Sequence, residues 1–491
     1  MLLLYAAVLV VCAATSPKNE SQPSRNAFLT VQTILAEGYH AETHHTVTKD
    51  GYVLELHRIP YGKNGNAGAE NRPVVLLMHG LLGASNSYTL YGPEYSMGFN
   101  LADAGYDAWM GNARGTKNSR RHTTLDPDSP IDKFQFFNFT YEEIGLDDVP
   151  TMVDYILNHT RQERLHYIGH SQGGTVFLVL NSMRPEYNRK FASAHLLAGV
   201  GYQNHFPHSQ LLKLARFTDV IYPLAVSLGY VELYPPNSTV AINTNNNSSF
   251  CAGFTYFQNI CEKIPLTSDD IDMNLIGGAS LKQVAHYGQN IRDKAFRRWH
   301  FGTAKNLQVY GTETPPKYDI GKVTVKTTMH YTPNDLVLDE RDVLAMANDM
   351  PNADVRRVKR DSFGHEEFVT AKDARELVTE HIIEALAQAH PIEESEESIE
   401  VGTEDMEEEE EPNAATTDKL KNRFEQYCGC RSRSEVHRTQ LMDPVHSSSF
   451  KTGNAVKFRL EDTFGGRPPY VPVVPSIVNL TPLATVTPPA G

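Results

Sequence analysis

Apolar and polar positions along the chain fall into two strand–helix rhythms, separated by a stretch that follows neither. Val74-Val75-Leu76-Leu77-Met78 is a continuous apolar run ending at His79-Gly80, the pattern of a strand buried on both faces. Leu165-His166-Tyr167-Ile168 ends the same way at Gly169, and Ser193-Ala194-His195-Leu196-Leu197 leads into Gly199. Between them, Val149, Met152, Val153 and Ile156 recur at helical spacing within residues 146–157. Strands alternating with helices of this length predict an α/β fold with a mostly parallel sheet covered on both faces.

The rhythm breaks from about 205 to 300. There Leu211, Leu214, Phe217 and Ile221 mark one amphipathic helix, although each is equally readable as ordinary core packing, and an Asn-rich loop follows. The rhythm then resumes with strands expected at Leu307-Gln308-Val309-Tyr310, at 323–329 and at Val355-Arg356-Arg357-Val358. A last helix is expected over 371–389, with Leu377, Ile382 and Leu386 inward. The organisation predicted is a core in two parts, 17–204 and 301–390, with a helical cap or lid at 205–300. Residues 1–16 precede it and a tail, 391–491, follows.

Composition changes the picture mainly at the ends. Residues 393–411 hold twelve acidic side chains and no basic one, so most of the formal charge of −14 sits there. Ser-, Arg- and Pro-rich sequence follows, and such a tail is expected to be disordered because it cannot bury enough apolar area to order itself. The acidic balance argues against nucleic acid as a partner. The apolar run from Met1 to Ala14 is too short to span a bilayer and reads as a cleavable signal peptide. A secreted or lysosomal protein is expected, without a transmembrane segment. Sequons at Asn19, Asn138, Asn158, Asn237, Asn246, Asn247 and Asn479 have meaning in that compartment. Cys251 and Cys261 are spaced to close a short disulfide loop there, though sequence leaves the pairing open. Cys428-Gly429-Cys430 lacks partners at metal-finger spacing.

Chemistry concentrates at Gly169-His170-Ser171-Gln172-Gly173, a G-x-S-x-G pentapeptide. Alone it could be a Gly-rich turn with a surface serine. The apolar strand before it and the helical spacing after it give the context of a nucleophile elbow, where a sharp turn needs small neighbours. A serine hydroxyl attacks only once a base takes its proton, and the base needs an orienting carboxylate. The expected chain order is Ser, Asp/Glu, His. His365, in a loop before the last helix, is placed to reach back, whereas His381 and His390 belong to or end that helix and are expected to be solvated. Asp335 follows the strand ending His330-Tyr331; Asp339 and Asp342 better fit the start of the next helix, yet remain alternatives. The oxyanion donors expected are the backbone N–H groups of Gln172 and of Leu81, in His79-Gly80-Leu81-Leu82-Gly83. His79 then reads as a structural hydrogen-bonding group.

These blocks, together with Thr48-Lys49-Asp50-Gly51-Tyr52, Leu101-Ala102-Asp103-Ala104-Gly105-Tyr106 and Trp109-Met110-Gly111-Asn112-Ala113-Arg114-Gly115, resemble the acid lipases, the gastric and lysosomal group with many insect members. The likeness covers about residues 30–390. It implies an α/β-hydrolase fold with a helical cap, no metal or organic cofactor, and hydrolysis of triacylglycerol or sterol esters at a lipid–water interface. Gly174 stands where the family commonly has Thr, a mild change beside the elbow. The region of Cys251 and Cys261 keeps only part of the family's cysteine pattern, and the tail has no counterpart. Two other functions remain open: a catalytically silent lipid-binding or yolk-type protein, and a short-chain carboxylesterase or thioesterase.

Overall fold

The apolar runs become the centre of one eight-stranded sheet. Its strands are β1 (Glu42–Val47), β2 (Val53–Ile59), β3 (Val74–Met78), β4 (Asp107–Gly111), β5 (Leu165–His170), β6 (Phe191–Leu197), β7 (Thr327–Tyr331) and β8 (Ala353–Arg357). In the computed structural model, which describes residues 29–65, 71–235 and 276–389, they run in the order β1-β2-β4-β3-β5-β6-β7-β8. The β1–β2 and β2–β4 pairs are antiparallel and all others parallel. Every residue of β3, β4 and β5 is buried, whereas the edge strand β1 alternates half-buried and exposed. The described residues belong to the first of two units, Met1–Glu397 and Ser398–Gly491. The expected signal peptide, Cys251 and Cys261, Cys428 and Cys430, the tail, and the sequons at Asn19, Asn237, Asn246, Asn247 and Asn479 lie outside the described residues.

Helices supply the covering layers. A π turn, Ile144–Asp148, leads into α1 (Val149–Thr160), which buries the predicted Val149, Met152, Val153 and Ile156. Helix α2 (Gln172–Met183) follows β5 and is almost wholly buried. Because β3 lies between β4 and β5, the chain leaves it first to one side and then to the other. That reversal opens a crevice at the carboxyl ends of the strands, where α/β folds place their sites.

Three expectations need correction. The single helix expected across 211–221 is two, α3 (Ser209–Ala215) and α4 (Thr218–Ser227). The chain turns between them, with Thr218 Oγ1 donating to the Ala215 carbonyl at 2.8 Å, and Phe217, expected inward, is 46% exposed. Helix α5 (Leu281–Asp293) packs against both. Close approach is allowed by Gly288, where a Cβ would lie 2.4 Å from Thr218 Oγ1.

The strand expected at 307–310 is instead the end of helix α6 (Thr303–Tyr310), bracketed by Gly302 and Gly311, both at positive φ. Its Leu307 and Val309 are exposed, while Asn306 is fully buried and bonded to the Phe301 N–H and the Glu313 carbonyl. Four residues are too few to separate a period of two from a short helix. The strand expected from 323 also begins later, at Thr327, after a 3-10 turn at Ile320–Lys322. Helices α7 (Glu340–Asp349) and α8 (Glu380–Ala389) pack on β8 and β6. The last buries Ile382 and Leu386 completely, roughly 1.5–3 kcal/mol of apolar transfer each.

Candidate active site

The sharp turn between β5 and α2 is set by what its neighbours lack. Ser171 sits at φ 49°, ψ −111°, a conformation that costs a non-glycine residue on the order of 1–3 kcal/mol. A Cβ on Gly169 would lie 2.5 Å from the Gly173 carbonyl carbon, and one on Gly173 would lie 2.2 Å from the Met78 oxygen. The small residues are therefore obligatory, as the elbow reading requires. Gly174 is under the same constraint, since a Cβ there would fall 2.4 Å from the Gly199 Cα. The absence of a side chain there lets α2 meet the chain just after β6, so a larger residue at this position would not be the mild change expected. The Ser171 N–H donates to the Leu197 carbonyl at 2.9 Å, which fixes the turn against β6.

Three strand ends converge here. His365 Nδ1 lies 2.6 Å from Asp335 Oδ2, and His365 Nε2 lies 2.8 Å from Ser171 Oγ. An ionised carboxylate only accepts, so Nδ1–H donates to Asp335 and Nε2 is left to accept from the serine hydroxyl. Asp335 is 5% exposed. Its other oxygen accepts the N–H groups of Val337 (2.8 Å) and Leu338 (2.9 Å), so the carboxylate cannot turn away from the imidazole without breaking both. The two loops are tied together: Thr332 Oγ1 donates to the Phe363 carbonyl and Asn334 Nδ2 to the Ser362 carbonyl. Burial works against a protonated His365, but the Asp335 charge and hydrogen bond outweigh it, and its pKa stands above the ordinary histidine value.

The competing carboxylates are engaged elsewhere. Asp339 caps α7, accepting the Arg341 N–H and pairing with its guanidinium. Asp342 accepts the N–H and Nδ1–H of His205. His79 donates from Nδ1 to the Gly80 carbonyl and accepts the Ala113 N–H at Nε2. Its complete burial depresses its pKa to about 4, so it is the neutral structural group expected. His381 is half-buried within α8, and His390 lies outside the described residues. The backbone N–H groups of Leu81 and Gln172 have no acceptor among the described residues. A Cβ on Gly80 would lie 3.2 Å from the Ser171 Cβ, so the loop carrying Leu81 lies against the serine.

Beside Ser171 and His365 opens a cavity of about 370 Å³, lined mostly by apolar side chains, with Leu81 and Leu82 from the β3 loop, Leu211 and Ile221 from α3 and α4, and Ile291 from α5. Two sequence profiles match the chain. One, described as a partial α/β-hydrolase lipase region, covers residues 30–92, and the other, the α/β-hydrolase fold, covers 73–226. Lipase 3 of Drosophila melanogaster is 34% identical over 71% of this chain and 90% of its own length. Lipase 1 of the same organism is 33% identical over 76% of this chain and 82% of its own. Human gastric triacylglycerol lipase is 30% identical over 73% and 90%. The chain belongs to the acid lipase family of α/β-hydrolases.

In this acid lipase family member, sequence reasoning missed the groups that reach the site from outside the motif blocks. Gln283 Nε2 donates to the Gln172 side-chain oxygen at 3.1 Å, and Tyr287 Oη donates to Thr175 Oγ1 at 2.8 Å. Helix α5 is thereby fastened to the first turn of α2. The Ser280-x-x-Gln283 capping box was a readable signal for the start of α5, but not for its partner. Of the two described sequons, both Asn138 and Asn158 are exposed, and Asn138 Oδ1 accepts from Lys282 Nζ. Among the described residues, Glu42, His44 and His159 are spaced as metal ligands could be. The Arg58 guanidinium, however, already donates to Glu42. No described helix is long and apolar enough to cross a membrane.

Proposed function

We propose that this protein is a serine ester hydrolase acting on neutral lipid esters, triacylglycerols or sterol esters, through Ser171, His365 and Asp335. The observation that supports it best is the unbroken hydrogen-bond line Asp335–His365–Ser171 opening into an apolar cavity. His365 Nε2 takes the hydroxyl proton as Ser171 Oγ attacks the ester carbonyl, and Asp335 stabilises the imidazolium that results. The Leu81 and Gln172 N–H groups receive the oxyanion. Collapse expels the alcohol, to which His365 returns the proton, and leaves an acyl-serine. Water, activated by the same imidazole, then attacks the acyl carbonyl and releases the fatty acid.

Of the expected cap at 205–300, the described helices α3, α4 and α5 line the acyl pocket in this reading and engage a lipid–water interface. Carriage through the secretory route, to the exterior or to lysosomes, agrees with the apolar amino terminus and with relatives named as gastric lipases. The test is hydrolysis of triolein, cholesteryl oleate and a short-chain p-nitrophenyl ester by wild type and Ser171→Ala. Hydrolysis of the long-chain esters, lost in the variant, is the expected result. Activity on the short ester alone would make the protein a carboxylesterase, and no activity at all a lipid carrier.

A further inference from the structure

The cavity beside Ser171 is lined mainly by aliphatic and aromatic groups, so its polar interruptions carry information. Two of them are satisfied within the protein: Thr218 by the Ala215 carbonyl and Tyr287 by Thr175. Gln203 is not. It is 5% exposed, its Oε1 is buried without a hydrogen-bond partner, and neither end of its amide is bonded among the described residues. It follows shortly after Val200, whose N–H donates to the Ser171 carbonyl at 3.3 Å. The segment carrying the unpaired amide is thus attached to the backbone of the serine itself.

Glu366 is the second interruption. It adjoins His365 and lines the same cavity at its solvent-exposed mouth, and its carboxylate has no hydrogen-bond or ion-pair partner among the described residues. Buried polar groups in native proteins are almost always paired, so the unpaired Gln203 amide marks a place for a ligand that pairs it, and the exposed Glu366 carboxylate, hydrated when the cavity is empty, offers an acceptor at the same cavity.

We propose that Gln203 and Glu366 form a hydroxyl-binding subsite, and that the preferred substrates are partial acylglycerols, esters whose alcohol keeps free hydroxyl groups. A hydroxyl both donates and accepts, so it satisfies the Gln203 amide in either orientation, and it donates to Glu366, which when ionised can only accept. A triacylglycerol or a sterol ester has no O–H beside the ester, so it leaves the Gln203 amide unpaired and gives Glu366 no donor. Sites built to hydrogen-bond a substrate hydroxyl discriminate strongly against analogues that lack it. The cavity volume of about 370 Å³ is in the range that encloses one small ligand, which suits one acyl chain with a glycerol head better than three chains.

This inference rests on the hydrolytic reading of Ser171, and the experiment separates the two. Values of kcat/KM are measured for 1-monooleoylglycerol, triolein and cholesteryl oleate in the same mixed micelles. The proteins are wild type, Gln203→Leu, Gln203→Met, Glu366→Leu and Ser171→Ala. Wild type is expected to favour monooleoylglycerol over triolein by roughly tenfold or more, with the ratio falling about tenfold in Gln203→Leu and in Glu366→Leu. Gln203→Met, close in shape, gives the same ratio if Gln203→Leu fails to fold. A wild-type enzyme indifferent to the hydroxyls, or variants that lose all three substrates in parallel, overturns the subsite while leaving the hydrolase. Hydrolysis persisting in Ser171→Ala overturns both.

Discussion

Replacing Asp335 with Asn tests the relay at its most specific joint. Asp335 Oδ1 accepts two backbone N–H groups while Oδ2 accepts from His365. An asparagine has one acceptor oxygen and one donor nitrogen. If the oxygen keeps the Val337 and Leu338 N–H groups, the NH₂ faces His365 Nδ1 and requires it to accept. The imidazole proton then moves to Nε2, which can no longer accept from Ser171. The opposite orientation sets NH₂ against two N–H donors and leaves them buried and unpaired.

Because the first arrangement preserves the loop, the variant should fold, with kcat down by about 10⁴-fold, or ~5 kcal/mol of barrier. Burial alone depresses the His365 pKa and the Asp335 carboxylate raises it above the ordinary value. Without that charge the neutral imidazole persists to lower pH, so the acid limb of the residual kcat/KM should move down. The assay is a pH series on a soluble ester, with a denaturation midpoint to establish folding. A well-folded Asp335→Asn within tenfold of wild type, or a comparable loss in Asp339→Asn, would refute the reasoning.

Two further predictions concern stability. Gly174→Thr, which restores the residue common in the family, would push its Cβ into the Gly199 Cα. It should lower stability by about 1–3 kcal/mol, the usual penalty of overpacking, read as a reduced urea midpoint; an unchanged midpoint would show that α2 can move aside freely. Burial holds His79 and His195 at about 4 and His286 at about 3, while His330 is well below its usual range. Unfolded histidine titrates near ~6.5, so this stability is fully present above that pH and is lost as pH falls toward about 4, at roughly 1.4 kcal/mol per unit for each group. The guanidinium midpoint should fall steeply across that window, and a flat profile would contradict the burial of these rings in neutral form.

The sheet was legible because its central strands are buried on both faces. Val74–Met78 had no polar position to confuse it, and the glycines after each run marked where the chain turns. Ser171, Asp335 and His365 could be proposed together from sequence because each follows the end of a strand, β5, β7 and β8, in the chain order Ser, Asp, His. Local pattern failed where the apolar period was short or interrupted. The stretch 307–310 mimicked a strand although Gly302 and Gly311 bracket a helix, and the turn before Thr218 split one expected helix into two. Gln203 and Gln283 were invisible for a different reason. What matters at Gln203 is a missing partner, and at Gln283 a partner distant in sequence, and no spacing along the chain encodes either.

The most direct test of the central claim is covalent. A long-chain alkyl fluorophosphonate should react once per chain, with the adduct on the peptide containing Ser171, and ester hydrolysis should disappear in proportion to labelling. Labelling at another residue, or hydrolysis that survives complete modification of Ser171, would contradict it.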